Sequence, residues 1–154
     1  MNKAAEEYLK SIYLLYIKNN KVRVTDVANL MNCSKPSVTK QLNILSKEGM
    51  IKYEAYSEIT LTDKGIDNAK RIIETYNILY LLMKDIFKLD EETSKIEADK
   101  IKSVLSDKSI NAIAKYVYST LGLKENLCDF DITSEKCRIC FNILKEMKGR
   151  NEDA

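Results

Sequence analysis

The chain has 154 residues, of which 45% are hydrophobic and 31% charged, and its formal net charge at pH 7 is +2. These values describe a small globular protein with one domain or two small ones, and they exclude a polycation. The absence of histidine argues against Ser-His and Cys-His hydrolytic catalysis. With no glycine-rich phosphate loop and no nucleophile elbow either, we do not expect an enzyme. Neither a signal peptide nor an apolar run of about 18 residues is present, so we expect a cytoplasmic protein without a membrane partner.

The first predicted element is a helix over residues 3–19, followed by a pattern typical of a winged helix-turn-helix. Residues 22–61 read VRVTDVANLMNCSKPSVTKQLNILSKEGMIKYEAYSEITL. Thr25 is predicted to cap a short helix over residues 25–32, and Asn32-Cys33 is predicted to form the turn. We interpret Cys33 as a packing residue.

The helix after the turn is predicted over residues 35–48. Ser34 caps it, and Pro36 falls in its first turn, where a missing N–H is tolerated. Gly49 provides the left-handed residue that commonly ends a helix. Apolar residues on one face are predicted to seat the helix on the core, namely Val38, Leu42 and Leu45. The opposite face is polar, and such a helix suits the major groove of DNA.

A two-stranded wing is predicted after Gly49, with Ile51 and Tyr53 on one strand and Ile59 and Leu61 on the other. Its tip, residues 55–58, lacks glycine, so we expect a loop wider than a two-residue hairpin. Residues 21–53 contain six Lys or Arg against two acidic residues, a local charge of +4. A basic patch on a balanced body is typical of phosphate contact.

The remainder of the chain is predicted to be helical. Thr62 caps a long helix that extends to about Lys88, and two more helices follow over residues 91–105 and 108–121. The predicted apolar face of the helix over 91–105 contains Ile96, Ile101, Val104 and Leu105. The fold class is therefore mainly α with a small β-wing. Three segments are predicted: a DNA-binding domain (1–62), a helical dimerisation domain (63–123) and a cysteine-containing C-terminal segment with a helix (124–154). The surplus of apolar surface after residue 63 predicts a homodimer.

Two runs together resemble the diphtheria-toxin-repressor family, close to its short manganese-responsive branch. They are AAEEYLKSIYLLY…VRVTDVANLMNCSKPSVTKQLNILSKEGMIKYEAYSEITLTDKG and KLDEETSKIEADKIKSVLSD. The resemblance implies a homodimeric, metal-activated repressor that binds palindromic operators in double-stranded DNA. It also implies metal ions bound between a winged-helix domain and a helical dimerisation domain.

The resemblance places several hydroxyl and basic residues where the recognition helix of the family meets DNA. Lysines neutralise phosphates, and small hydroxyl residues approach base edges and backbone. The predicted DNA-binding residues are Arg23, Thr25, Ser34, Lys35, Pro36, Ser37, Thr39, Lys40, Lys52, Tyr53 and Tyr56. An alternative interpretation is that Ser34 and Pro36 serve only to start the helix.

The metal positions of the family are changed in this chain. The residues predicted there are Glu7, Lys10, Asn77, Asp99, Lys102 and Ser103. Only Glu7 and Asp99 are strong ligands, whereas tight Mn²⁺ or Fe²⁺ binding needs three or more good donors. We therefore expect this site to be non-functional. Cross pairs of Glu7 with Lys102 and of Lys10 with Asp99 could tie the two domains together without metal; the alternative is solvated surface lysines.

Three cysteines follow the recognisable region in the pattern C-x8-C-x2-C: Cys128, Cys137 and Cys140. They could hold an iron–sulfur cluster or a zinc ion, and so could supply a redox or metal-based control. The alternative is that these thiols pack as small hydrophobic residues.

For the whole chain we predict a sequence-specific DNA-binding regulator that is a repressor. The alternative is a winged-helix module that binds a protein partner or dimerises with a related repressor.

Overall fold

The computed structural model describes residues 1–122, which fall into two compact units, Met1–Ile72 and a second unit that begins at Ile73. Helices dominate both units, and the sheet found in the described residues has two strands. The predicted fold class, mainly α with a small wing, is confirmed. None of the helices in this part of the chain is long and apolar enough to cross a membrane. The predicted C-terminal segment, 124–154, lies outside the described residues.

The first unit contains three helices, a two-stranded ribbon and the start of a long helix. Its elements are α1 (Lys3–Asn19), α2 (Val24–Met31), α3 (Lys35–Lys47), β1 (Ile51–Lys52), β2 (Thr60–Leu61) and the first part of α4 (Asp63–Leu81). The predicted helix over residues 3–19 is confirmed. Helices α1, α2 and α3 contact one another in pairs. Their shared core is apolar because each helix turns one face inward: Leu9, Ile12, Val27, Val38, Leu42 and Leu45 are fully buried.

Helix α2 begins earlier than the sequence predicts. Thr25 was predicted as its N-cap, but the cap is Arg23, and Thr25 lies in the first turn. The prediction was wrong because Asp26 supplies the capping carboxylate. Its Oδ2 atom accepts a hydrogen bond from the backbone N–H of Arg23 at 2.9 Å. An acidic side chain in the first turn also stabilises the positive end of the helix dipole.

The wing is shorter than predicted. Its antiparallel strands pair Ile51 with Leu61 and Lys52 with Thr60, so Tyr53 and Ile59 lie outside the strands. Ile59 is nonetheless held in place, since its N–H donates to the carbonyl oxygen of Val22 at 2.8 Å. The tip is a wide loop, as its lack of glycine predicts.

The long helix predicted after Thr62 is confirmed. Thr62 Oγ1 accepts from the Gly65 N–H at 3.0 Å, which caps the first turn of α4. After Leu81 the helix continues as one π-helical turn, Leu82–Ile86, and Lys88 then adopts a left-handed backbone with φ of 59°.

The second unit packs α5 (Glu91–Ile101) and α6 (Asp107–Thr120) against the π-helical turn. Helix α5 ends at Ile101, four residues before its predicted end, and Val104 is 79% exposed. The apolar face predicted for this helix is therefore wrong in part, since Ile96 is exposed as well. A different face of α5 is buried, and its residues recur at i, i+4 and i+8: Ser94, Ala98 and Lys102.

Candidate nucleic-acid interface

Helix α3 begins at a well-formed cap. Ser34 Oγ accepts a hydrogen bond from the Ser37 backbone N–H at 3.3 Å, and the two hydroxyl oxygens lie 2.9 Å apart. Pro36 lies in the first turn, where its missing N–H costs no intrahelical bond. At the other end Gly49 adopts φ of 75°, as predicted from its position. Both ends of α3 are therefore fixed by local hydrogen bonding and backbone geometry.

The two faces of α3 differ sharply in exposure. Val38, Leu42 and Leu45 are completely buried in the core of the first unit. The predicted DNA-binding residues on the opposite face are mostly exposed: Ser34, Lys35, Pro36, Ser37 and Lys40 are open to solvent, and Thr39 is half-buried. Because the buried face holds the helix in place, the polar face is presented on a rigid support. This arrangement suits insertion into a DNA groove.

The Thr39 hydroxyl group, like those of Ser34 and Ser37, already makes a hydrogen bond. Its Oγ1 atom donates to the carbonyl oxygen of Lys35 at 3.0 Å, within the helix itself. A hydroxyl that donates to the preceding turn still presents its lone pairs outward as an acceptor.

Two exposed residues of α3 extend this face beyond the predicted DNA contacts: Asn43, which the sequence already places on the polar face, and Lys47, which it does not. Asn43 and Lys47 are exposed, and they follow Lys40 by one and two helical turns. The signal that identifies them is the helical repeat of three to four residues that links them to Pro36 and Lys40. Including them lengthens the candidate recognition face to the full helix.

The remaining predicted contacts flank α3. Arg23 and Thr25, at the start of α2, are exposed, as is Lys52 in the wing, whereas Tyr53 is half-buried. Tyr56 is fully exposed at the tip of the wing and adopts a left-handed backbone with φ of 64°. A non-glycine residue with positive φ is uncommon, and Tyr56 takes the place that glycine usually occupies in such turns.

An acidic residue of the wing lies beside this basic surface. Glu58 Oε1 is 3.7 Å from Lys21 Nζ and 3.9 Å from Arg23 Nη2. All three side chains are largely exposed, so these pairs contribute at most about 1 kcal/mol to stability. Their main effect is electrostatic, because Glu58 offsets positive charge at the edge of the candidate interface.

Two of the predicted metal positions, Glu7 and Lys10, lie on α1 in the first unit. Lys10 Nζ is 2.9 Å from Glu7 Oε2, and the two side chains are 27% and 30% exposed. The carboxylate that was predicted as a possible ligand is thus engaged with an ammonium group one turn away.

The predicted metal positions in the second unit also include an ion pair, and its lysine is more deeply buried. Lys102 Nζ lies 2.8 Å from Asp99 Oδ1, and the Lys102 side chain is only 3% exposed. Asn77 is half-buried and Ser103 is exposed. Tyr76 of α4, which is not among the predicted site residues, contacts Lys102: the ammonium lies 5.9 Å from the centre of its ring. Within residues 1–122, no group of three or more His, Cys, Asp or Glu side chains is placed to hold a metal ion.

The cysteines divide between the described part of the chain and the rest. Cys128, Cys137 and Cys140 lie outside the described residues. Cys33, in the turn before α3, is half-buried and has a free thiol. Its Sγ atom is 3.2 Å from the Tyr8 hydroxyl oxygen, and this hydrogen bond, together with burial, raises the pKa of the Tyr8 phenol.

Comparisons with known proteins match the two halves of the described chain to two family models. Residues 1–59 match the iron dependent repressor N-terminal DNA binding domain, and residues 62–119 match the iron dependent repressor metal binding and dimerisation domain. Among curated relatives, an uncharacterised HTH-type transcriptional regulator of Methanocaldococcus jannaschii is 35% identical over 73% of this chain and 91% of its own. The HTH-type transcriptional regulator MntR of Lysinibacillus sphaericus is 35% identical over 73% of this chain and 80% of its own.

The fold is also similar to solved structures. The manganese regulator SloR superposes with a TM-score of 0.61 at 21% identity, covering 78% of this chain. The match spans about half of the SloR chain, 54% of its length.

Proposed function

Since this chain belongs to the iron-dependent repressor family of DtxR/MntR-type transcriptional regulators, we propose that it is a sequence-specific repressor that binds a palindromic operator as a homodimer. Members of the family are regulators and not enzymes, and the two matched domains are a DNA-binding domain and a metal-binding and dimerisation domain. DNA and a second copy of the chain are therefore its partners. We place this activity in the cytoplasm, where bacterial and archaeal regulators meet their operators.

The observation that carries this proposal is the contrast between the two faces of α3. The apolar face is fully buried, whereas the polar face exposes Lys35, Ser37 and Lys40 together. In the proposed complex the lysine ammonium groups neutralise phosphates, and the hydroxyl of Ser37 approaches base edges in the major groove. The wing contributes backbone contacts through Lys52 and Tyr56.

The palindromic operator follows from symmetry. A homodimer with a two-fold axis presents two copies of α3, and each copy reads one half of an inverted repeat. Adjacent major-groove half-sites on one side of the duplex lie about 10 base pairs apart, or a multiple of that distance.

Control of this repressor is proposed to differ from that of its metal-activated relatives. The family positions hold Lys10 and Lys102 ion-paired with Glu7 and Asp99, so we do not expect Mn²⁺ or Fe²⁺ to act there. Cys128, Cys137 and Cys140 are the candidate ligands for a zinc ion or an iron–sulfur cluster. A visible spectrum and metal analysis of anaerobically purified protein test this part: iron with sulfide indicates a cluster, colourless zinc a structural site, and metal-free protein rules out both.

The function is tested by selecting ligands from a library of random duplexes with the full-length protein. We expect rounds of selection to enrich an inverted repeat that binds two protomers per duplex. A selection that enriches no sequence would contradict the proposal and favour the alternative, a winged-helix module that binds a protein partner. A selected site without two-fold symmetry would contradict the homodimeric mode of binding.

A further inference from the structure

The Lys102 ammonium is buried in the second unit although lysine side chains normally remain in water. We propose that this ammonium is a covalently tethered cation that takes the place of a metal ion, so that the regulator binds its operator without Mn²⁺ or Fe²⁺ at the metal positions of the family. This inference rests on the proposed function, and it concerns how the active form is maintained. The side chain is 3% exposed, and its Nζ atom is 2.8 Å from Asp99 Oδ1.

Three interactions offset the free-energy cost of removing the Lys102 ammonium from water. The Asp99 carboxylate provides a charge-assisted hydrogen bond. The Tyr76 ring lies 5.9 Å from Nζ, within the range of a cation–π contact. Lys102 is also the C-cap of α5, where a positive charge faces the negative end of the helix dipole. A buried charge needs such partners, and Lys102 has them from two separate helices of the second unit.

The burial of Lys102 explains why α5 departs from its predicted face. The buried face of α5 consists of Ser94, Ala98 and Lys102, whereas Ile96 is exposed. A lysine therefore occupies the last position of a buried helix face. The buried charge is that of Lys102, because the Asp99 side chain is 37% exposed, and without the carboxylate the ammonium would lose its closest charged partner.

The donors at the family positions do not fit a divalent cation. Mn²⁺ and Fe²⁺ need several oxygen or nitrogen donors, whereas an ammonium group donates hydrogen bonds and accepts none. Asp99 is engaged by Lys102, and Glu7 is engaged by Lys10 at 2.9 Å. A metal ion placed beside Asp99 would be repelled by the ammonium 2.8 Å from that carboxylate. Each change from a ligand to a lysine thus supplies a positive charge and removes a group that could donate an electron pair to a metal ion.

The same exchange on α1 gives the inference a second, independent support. Glu7 and Lys10 stand at i and i+3, as do Asp99 and Lys102. The cross pairs Glu7–Lys102 and Lys10–Asp99 between the two domains stay a prediction. A charge-swap cycle between Glu7 and Lys102, read by the free energy of operator binding, measures that coupling.

The test uses full-length protein, stripped of metal by dialysis against chelator, and the duplex selected above. Fluorescence anisotropy compares operator affinity in EDTA with affinity in added Mn²⁺, which prefers carboxylates to thiolates and so does not report on the cysteines. We expect these affinities to agree within about twofold. In parallel, equilibrium dialysis against Mn²⁺ is expected to leave no metal bound. Stoichiometric Mn²⁺ on the wild-type protein, or operator binding only in the presence of Mn²⁺, would overturn the inference.

Two charge-reversal variants on one helix form the matched pair. Lys102→Glu removes the buried cation, whereas Lys100→Glu makes the same change at an exposed position of α5. We expect Lys102→Glu to weaken operator binding by at least about tenfold, without rescue by Mn²⁺, and Lys100→Glu to remain close to wild type. Equal effects of the two variants would contradict a special role for Lys102. If Lys102→Glu fails to fold, Lys102→Met keeps the volume and removes only the charge.

The results of these experiments distinguish a failure of the inference from a failure of the proposed function on which it rests. Wild-type protein that binds the operator only with Mn²⁺ retains the proposed function and overturns the tethered cation. A wild-type protein that selects no duplex in either condition contradicts the proposed function itself. The equilibrium dialysis still decides in that case whether Lys102 excludes the metal.

Discussion

Gly65, in the first turn of α4, lies against the carbonyl oxygen of Met50, and a Cβ atom on Gly65 would overlap that oxygen. The Met50 carbonyl cannot move easily, because it also accepts a hydrogen bond from the Thr62 N–H at 3.1 Å. The Thr62 hydroxyl lies 3.0 Å from the same oxygen and donates to the closer Gly49 carbonyl oxygen at 2.6 Å. This contact fixes the start of α4 against the residue that precedes the first strand of the wing.

Replacing Gly65 with alanine is therefore expected to destabilise the first unit by roughly 2 kcal/mol or more, because the backbone must separate to accept the methyl group. Gly49→Ala is the comparison. No atom lies within 4 Å of its Cβ position, but its φ of 75° disfavours alanine, so about 1 kcal/mol is expected. Urea denaturation of both variants measures the difference. A Gly65→Ala protein as stable as wild type would show that the close approach is not present in solution.

The cap of α3 links stability to DNA binding. Removing the Ser34 hydroxyl in Ser34→Ala is expected to cost about 1 kcal/mol, since the Ser37 N–H loses its acceptor. Ser119→Ala, at an exposed position near the end of α6, is expected to change stability by less than about 0.5 kcal/mol.

Ser34→Asp separates the role of Ser34 as a helix cap from its role as a DNA contact. It keeps a capping oxygen and the stability of the helix, but its negative charge on the exposed face should weaken DNA binding. Tight DNA binding by Ser34→Asp would place Ser34 away from the duplex.

Glu74 of α4 supports a pH-dependent prediction. Its side chain is buried and its Oε1 atom has no hydrogen-bond partner, and burial raises its pKa to about 8. The unfolded chain loses this proton near its ordinary pKa of 4.5. Stability should therefore fall as pH rises from about 4.5 to about 8, by up to about 1.4 kcal/mol per pH unit, and level off above that range.

Glu74→Gln removes this titration. We expect the variant to be more stable than wild type, with a difference that grows between pH 5 and pH 8, as measured by thermal denaturation at a series of pH values. Glu92→Gln, an exposed carboxylate on α5, is the control and should show no such trend. A constant difference across this pH range would show that Glu74 is ionised in the folded protein.

Glu58 is expected to moderate DNA affinity. Because it lies 3.7 Å from Lys21 and 3.9 Å from Arg23, its removal in Glu58→Gln leaves more positive charge at the edge of the interface. Affinity for the selected operator should rise about two- to fivefold at low salt, and the gain should shrink as salt screens the charges. Glu92→Gln again serves as the control. Unchanged affinity in Glu58→Gln would place the wing and the start of α2 away from the phosphate backbone.

The parts of the fold that local patterns determine were predictable from the sequence. Helix α1, the Ser34 cap and the left-handed Gly49 each depend on residues within one or two turns. The start of α2 was not predictable, because Thr25 and Asp26 are both good capping residues and the folded backbone decides which one accepts the hydrogen bond. The tip of the wing was predictable as wide, but the left-handed conformation of Tyr56 was not, since tyrosine rarely adopts it.

The candidate sites, too, were predictable from the sequence only where local patterns determine them. The exposed face of α3 follows from helical periodicity, which also contains Asn43 and Lys47. The burial of Lys102 does not, because lysine is normally a surface residue and its environment comes from the packing of α5 with Tyr76 of α4. An ion pair at i and i+3 can be predicted from the sequence, but its exposure to water depends on tertiary contacts.

The most direct test of DNA recognition by α3 is the salt dependence of operator affinity for two matched double variants. Lys35→Gln/Lys40→Gln changes the exposed face of α3, whereas Lys108→Gln/Lys115→Gln makes the same charge change at exposed positions of α6. If each α3 lysine contacts a phosphate, the homodimer loses four contacts in the first variant, and the slope of log affinity against log salt should become shallower by about 3.6 and stay unchanged in the second. Equal slopes in the two variants would contradict the central claim that α3 is the recognition helix.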